Sequence, residues 1–296
     1  YLMSIIIKSN NALSTSSAGF GTTKMLNTTA QAEFDAYKAR VLADGGVIKD
    51  EARTLRAFNM LFANKMYGNM NTAVSGTFGV KLDGSGGITK LYAIDGTDLV
   101  GTAYGTGTLP KLDANNNIDF SSNVSTDNVN GAMFSTANKL TLSKAGRFGY
   151  SINAKTLKST TTRLAAVTKH ADVTAVNAAS YITANGTTTV SFTSQLNALA
   201  LSGTATVVST TAGFYNAAHS QIALPTDNIF AQNRGGVEVT TASGKFIPEI
   251  TIEQFYIDFG GQFTSDKKQF TDTVIRDFFC FNHASRGQVA TLSAFV

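Results

Sequence analysis

The sequence predicts a mainly β protein, a jelly-roll or β-sandwich that follows a short helical hairpin and carries one late C-terminal helix. Short β-branched and aromatic runs are separated by Gly-, Asn- and Asp-rich turns over most of the 296 residues. Helical periodicity is confined to residues 29–70 and to about 264–281. The regular alternation of strands and helices that is typical of a dinucleotide-binding fold is absent.

Charge is scarce in this chain. Only 15% of the residues are charged, whereas 43% are hydrophobic, and an average soluble protein has about 25% charged residues. The net charge of +4 is spread along the chain, so no nucleic-acid partner is expected, because nucleic-acid binding needs clustered cations. No run approaches the roughly 18 apolar residues that span a bilayer, so no membrane insertion is expected. Because obligate interfaces are depleted in charge, the composition favours a homo-oligomer.

The N-terminal part divides into two segments. Residues 1–28 alternate short apolar pieces with Ser, Thr and Gly, which is typical of an extended arm or of a disordered tail. Residues 29–70 predict a helical hairpin, since Phe34, Tyr37 and Val41 recur at helical spacing. Asp50 is placed to cap the second helix, and the short connection makes the two helices antiparallel neighbours.

Residues 71–296 predict a β-sandwich domain. Turn sequences separate its short strands, and Asn185-Gly186 is typical of a type I′ hairpin turn. No Lys or Arg lies between Ala171 and Asn233. That neutral stretch is core, subunit interface or a Thr-rich face toward water, and the fold of about 150–234 is not predicted.

A late helix is predicted at about 264–281. Thr264-Ser265-Asp266 resembles a helix cap, and an apolar series with helical spacing follows it. The series is Phe270, Val274, Ile275, Phe278 and Cys280. Residues 288–296 are interpreted as a closing strand or tail.

No motif predicts a catalytic, cofactor or metal site, so the protein is expected not to be an enzyme. Gly84–Lys90 lacks the spacing of a phosphate loop and precedes a strand. His170, His219 and His283 lie too far apart for a zinc motif. Cys280 is interpreted as a small buried apolar residue, although His283 is close enough in sequence to serve as a base.

Two binding possibilities stay open. Asp113, Asn115, Asn117 and Asp119 alternate like calcium ligands, but Ile118 and Val124 stand at the sixth and twelfth loop positions. An Asn-rich turn explains that loop better, with a weak cation site as the alternative. Carbohydrate binding would use aromatic faces beside amide groups, as at Tyr215-Asn216, but no site is assigned.

Four segments resemble tailed-bacteriophage virion proteins that carry a concanavalin A-like (laminin G-like) jelly roll. The segments are Phe34–Ile48, Gly79–Leu99, Thr108–Asn123 and Ile252–Phe279. The resemblance covers about half of the chain, and the lectin-type metal and sugar ligands of that family have no matching motif here. It implies a structural component located in the virion (tail fibre, tail-tip, head fibre or decoration protein) that contacts other virion proteins. The alternatives are a receptor-recognition module for a host-surface glycan and a polysaccharide depolymerase.

Overall fold

The computed structural model describes the chain in separate ranges. They are residues 29–124, 126–141, 149–155, 162–168, 180–185, 189–194, 203–208, 215–223, 228–234, 236–243, 254–263, 268–281 and 285–295. The predicted N-terminal arm, residues 1–28, lies outside them. The division into arm, helical hairpin and sandwich domain stays a prediction.

Three α-helices are present in the described ranges: α1 (Ala30–Ala43), α2 (Glu51–Ala63) and α3 (Arg286–Ser293). The strands of the same ranges are β1 (Val47–Ile48), β2 (Met70–Ser75), β3 (Gly79–Leu82), β4 (Ile88–Tyr92), β5 (Leu99–Tyr104), β6 (Lys111–Leu112), β7 (Ile118–Asp119), β8 (Gly131–Thr136), β9 (Leu140–Thr141), β10 (Gly149–Lys155), β11 (Thr162–Thr168), β12 (Ser180–Asn185), β13 (Thr189–Ser194), β14 (Gly203–Val208), β15 (Tyr215–Ala223), β16 (Asn228–Arg234), β17 (Val237–Ser243), β18 (Gln254–Phe259), β19 (Gly261–Phe263), β20 (Lys268–Phe270) and β21 (Val274–Phe281). The predicted mainly β class is therefore confirmed.

Two large antiparallel sheets form from these strands. The first sheet has the order β1-β3-β4-β5-β8-β18-β11-β12-β13-β14, and β9 adds to it beside β18. The second sheet has the order β17-β16-β15-β10-β21-β7-β6, and β2 adds to it beside β21. Strands β19 and β20 pair only with each other in the described part of the chain. Neighbouring strands are often far apart in sequence, as a jelly-roll or sandwich requires.

The first core lies between the two sheets. Phe134 and Phe259 of the first sheet meet Phe120 and Phe278, and all four side chains are fully buried. The rings of Phe259 and Phe278 stack across the sandwich with their centroids 5.3 Å apart. Phe255 of β18 lies in the same core, which thus holds several of the 20 Phe residues of the chain.

A second core lies between the helices and the other face of the second sheet. Phe58 of α2 and Val289 of α3 pack in one buried cluster with Phe279 and Phe281 of β21. Thr29 and Asp50 cap the first two helices, because their side chains accept hydrogen bonds from the backbone of the first turn. The predicted helical hairpin is confirmed, and β1 between its helices pairs with β3 in the first sheet.

The predicted helix at about 264–281 is wrong. Residues 268–270 and 274–281 are strands, and residues 264–267 lie outside the described ranges. Strand β21 is buried on both faces, with Phe278 and Cys280 in the first core and Phe279 and Phe281 in the second. An apolar run without alternation cannot be distinguished from a buried helix by periodicity. The late helix is α3 instead, where a closing strand or tail was predicted.

The strands predicted around Asn185-Gly186 are confirmed, since β12 and β13 pair antiparallel with Asn185 opposite Thr189. The turn itself and most side chains of the neutral stretch from Ala171 to Asn233 lie outside what the structure describes. Among the described residues, no helix combines the length and apolar character that a membrane span needs.

Candidate functional site

The outer face of the first sheet carries a short hairpin formed by β19 and β20. Phe259 points into the first core, whereas Asp258 next to it lies on the outer face. The chain then turns at Gly260, whose φ of +80° favours glycine. The hairpin that follows packs against β11 and β8, so it forms a ridge on the outer face.

Asp258 anchors the ridge to the sheet. This carboxylate is fully buried and accepts hydrogen bonds from Ser135 Oγ at 2.7 Å and from Thr168 Oγ1 at 3.0 Å. It also accepts the backbone N–H of Phe263 at 2.8 Å. These donors come from β8, β11 and β19, so one buried acid joins the hairpin to its neighbouring strands.

One side of the hairpin presents aromatic rings and a cation. The Tyr104 ring lies 5.8 Å from the Phe270 ring and 6.4 Å from the Phe263 ring, measured between centroids. Lys268 Nζ lies 4.7 Å from the Tyr104 centroid. Burial raises the pKa of the Tyr104 hydroxyl, with a smaller contribution from the charge of Asp258. Tyr104, Phe263 and Lys268 are half-buried, so part of each side chain stays open to a ligand.

The other side presents an arginine held from three directions. The Arg163 guanidinium lies 3.7 Å from the centroid of the Tyr181 ring. Its Nε donates to Gln269 Oε1 at 2.9 Å, and its Nη1 donates to Thr183 Oγ1. Burial lowers the pKa of Arg163. In the described part of the chain, neither Arg163 nor Lys268 has a carboxylate within ion-pair distance.

We name this area the hairpin surface; it comprises Tyr104, Arg163, Tyr181, Phe263, Lys268 and Gln269. Its half-buried aromatic faces offer apolar contact to the C–H groups of a ring-shaped ligand. Its amide and cationic groups offer hydrogen bonds to hydroxyl or anionic oxygens. The surface thus combines the two kinds of contact that a polyhydroxylated ligand can use.

The Asn-rich loop from Asp113 to Asn117 is a turn in which the Asp113 carboxylate accepts hydrogen bonds from groups of the same loop. Asp113 Oδ1 accepts the backbone N–H groups of Asn115 and Asn117 at 2.8 Å, and its Oδ2 accepts Asn117 Nδ2 at 2.8 Å. Asp83 binds the N–H groups of Ser85 and Gly87 in the same way. The described residues contain no group of three or more His, Cys, Asp or Glu side chains that could hold a metal ion.

The other residues considered from sequence do not join the hairpin surface. Cys280 is buried in the first core, and burial raises the pKa of its thiol to about 12. His170 and His283 lie outside the described ranges. Tyr215-Asn216 and His219 lie on β15 of the second sheet, where the structure describes their backbone alone.

Sequence reasoning missed the hairpin surface altogether. Its residues come from β5, β11, β12, β19 and β20, which are separated by up to 165 positions. The one local signal is Gly260-Gly261, a glycine pair directly after an apolar strand and before Phe263.

No protein-family profile and no curated protein sequence matches the chain. Solved structures match its fold. The binding domain of botulinum neurotoxin DC in complex with rat synaptotagmin II has a TM-score of 0.51 and 9% identity, and the match covers 78% of this chain and 52% of that chain. The same domain in complex with SialylT has a TM-score of 0.50 and 9% identity, with 78% and 52% covered. A botulinum neurotoxin type C, which depends on interaction with two ganglioside molecules to enter cells, has a TM-score of 0.51 and 9% identity, with 78% and 53% covered.

These matches show a β-sandwich fold. The chain spans about half the length of the structures that it matches. Their identities are low, so the likeness concerns architecture, and the matches do not indicate a virion protein.

Proposed function

We propose that this protein is a carbohydrate-recognition β-sandwich that binds a glycan at the hairpin surface. The observation that carries the proposal is the half-buried pair Tyr104 and Phe263 beside Lys268. In the described part of the chain, no carboxylate lies within ion-pair distance of this lysine. Structures of the same fold include one in complex with SialylT and one that depends on two ganglioside molecules. The sequence alone favours a virion component and leaves glycan recognition as an alternative. The hairpin surface and the fold of these structures favour glycan recognition instead.

Stacking supplies the affinity in this proposal. Tyr104 and Phe263 present ring faces on the outer side of the first sheet, where Val100 and Thr102 of β5 are also exposed. Sugar C–H groups pack on such faces, and the hydroxyl groups reach Lys268 and the Tyr104 hydroxyl. The function needs no nucleophile or general base, so the proposal is a binding protein without catalytic activity.

The test is a glycan array with the intact chain, followed by titration of the best ligand. Tyr104→Ala is expected to weaken binding at least tenfold, because it removes the ring that contacts both Phe263 and Lys268. Lys111→Gln is the matched control, since Lys111 is an exposed lysine on β6 of the second sheet. Circular dichroism confirms that each variant is folded. Binding unchanged in Tyr104→Ala would refute this location of the site, and an array without a saturable ligand would refute the function.

The second candidate is a non-enzymatic component of a phage virion. The charge content of 15% favours it, because obligate interfaces are depleted in charge, and the four segments that resemble virion proteins favour it as well. Light scattering on the purified chain tests the homo-oligomer that this proposal requires. A monomer at high concentration would contradict it, and release of reducing ends from host polysaccharide would contradict both candidates in favour of a depolymerase.

A further inference from the structure

We propose that the Arg163 side of the hairpin surface is a subsite for the carboxylate of an acidic sugar. The inference deepens the proposed function, since it takes the anion to be part of the glycan. It concerns Arg163, Gln269, Thr183 and Gln262, none of which the aromatic side of the hairpin includes.

The guanidinium of Arg163 is fixed before any ligand arrives. Stacking on Tyr181 sets the plane of the group, and the bonds to Gln269 Oε1 and Thr183 Oγ1 set its rotation within that plane. Neither of these bonds uses Nη2. An arginine ordered in this way loses little conformational entropy on binding, and its planar fork matches the geometry of a carboxylate.

The charge of Arg163 lacks an internal partner in the described part of the chain. Arg53 and Arg40, two other arginines that lie over aromatic rings, each bind a carboxylate at 2.7 Å. Arg163 has only neutral acceptors, although it is half-buried, and desolvation lowers its pKa. A bound anion restores favourable electrostatics to such a group, because charge-assisted bonds are strongest where water is partly excluded.

A buried acceptor on the same hairpin favours a sugar over a simple anion. Gln262 pairs with Gln269 in the register of β19 and β20, so both side chains lie on the face of the hairpin that contacts Arg163. Gln262 is 7% exposed, and its Oε1 has no hydrogen-bond partner among the residues that the structure describes. Since a buried acceptor without a donor is costly, a ligand hydroxyl is its natural partner. The ligand class that supplies both groups is a sugar acid.

The experiment titrates the intact chain with glucuronate, glucose, acetate and inorganic sulfate, with chemical shifts or calorimetric heat as the readout. Glucuronate is expected to bind at least tenfold more tightly than glucose or acetate. Arg163→Gln is expected to remove that preference, and Arg163→Lys, which keeps the charge without the fork, is expected to retain part of it. Arg56→Gln is the control, because Arg56 is an exposed arginine on α2.

The outcomes separate the two proposals. Equal affinity for glucuronate and glucose, unchanged in Arg163→Gln, would overturn the subsite and leave glycan recognition standing. Binding of acetate or sulfate as tight as that of glucuronate would overturn the sugar-acid assignment. Anion binding that is lost in Arg163→Gln, with no glycan bound by the wild type on the array, would overturn the proposed function alone. Circular dichroism shows whether Arg163→Gln folds. If it does not fold, the single variants Arg163→Lys and Gln262→Leu test the same inference.

Discussion

Removal of Arg53 tests whether a buried ion pair joins the helices to the second sheet. Arg53 donates to both carboxylate oxygens of Asp277, at 2.8 and 2.7 Å, and to Thr77 Oγ1 at 2.8 Å. The side chains of Arg53 and Asp277 are 6% and 2% exposed. Breaking such a pair from one side costs about 3–5 kcal/mol, since a charge stays buried without its partner. Arg276 Nε, 3.1 Å from Asp277 Oδ2, remains as a second cation, so we expect Arg53→Met to lie near the lower value.

The assay is urea denaturation followed by circular dichroism, with the free energy of unfolding compared at equal m-values. A double-mutant cycle with Asp277→Leu separates the ion pair from the packing of Arg53 on the Phe295 ring, 4.7 Å away. Lys38→Met is the control, because its pair with Glu51 is 38% and 52% exposed and such pairs contribute about 0.2–1 kcal/mol. A loss below about 1 kcal/mol in Arg53→Met would refute the argument that this pair is structurally essential.

Three further predictions concern single residues. Gly260→Ala is expected to lower the free energy of unfolding, measured by thermal denaturation, by about 2–5 kcal/mol, because the positive φ is unfavourable for alanine and the new Cβ would overlap a buried phenylalanine ring. Gly68→Ala is the control and is expected to change this free energy little, because a Cβ at Gly68 meets open space. Cys280 is expected to resist iodoacetamide in the native protein at pH 8, since burial raises its pKa to about 12; mass spectrometry showing rapid alkylation would contradict this. The Tyr92 hydroxyl and two lysines lower the pKa of Asp44, so the stabilisation that Asp44 contributes is present above pH 4 and lost in more acidic solution. The melting-temperature difference between wild type and Asp44→Asn should therefore shrink between pH 6 and pH 3.

The helical hairpin was predictable because its signals are local. Apolar residues repeat at helical spacing in α1, and Thr29 and Asp50 stand at the caps. The turns from Asp83 and Asp113 were predictable for the same reason, since each aspartate binds backbone groups within its own loop. In all these cases one short segment holds the whole physical argument.

The late helix was misplaced because β21 breaks the usual alternation of strands. Both of its faces are buried, so its last four residues, from Phe278 to Phe281, are all apolar and show no alternation. The correct helix carried a signal that was overlooked, a capping box in which Ser285 and Gln288 bind each other's backbone. The hairpin surface was beyond prediction, since only the pairing of distant strands brings Tyr104, Arg163 and Lys268 to one hairpin.

Strand β21 also sets the order in which the molecule can acquire its structure. It pairs antiparallel with β2 and β10, so that residue 281 lies opposite both residue 70 and residue 149. A nascent chain on the ribosome therefore cannot complete either the first or the second core before residue 281 has been synthesised. Until then, the aromatic side chains of residues 29–140 have no complete second sheet to pack against. The closure of such long loops also makes folding slow. The growing polypeptide is consequently most exposed to aggregation until β21 has left the exit tunnel.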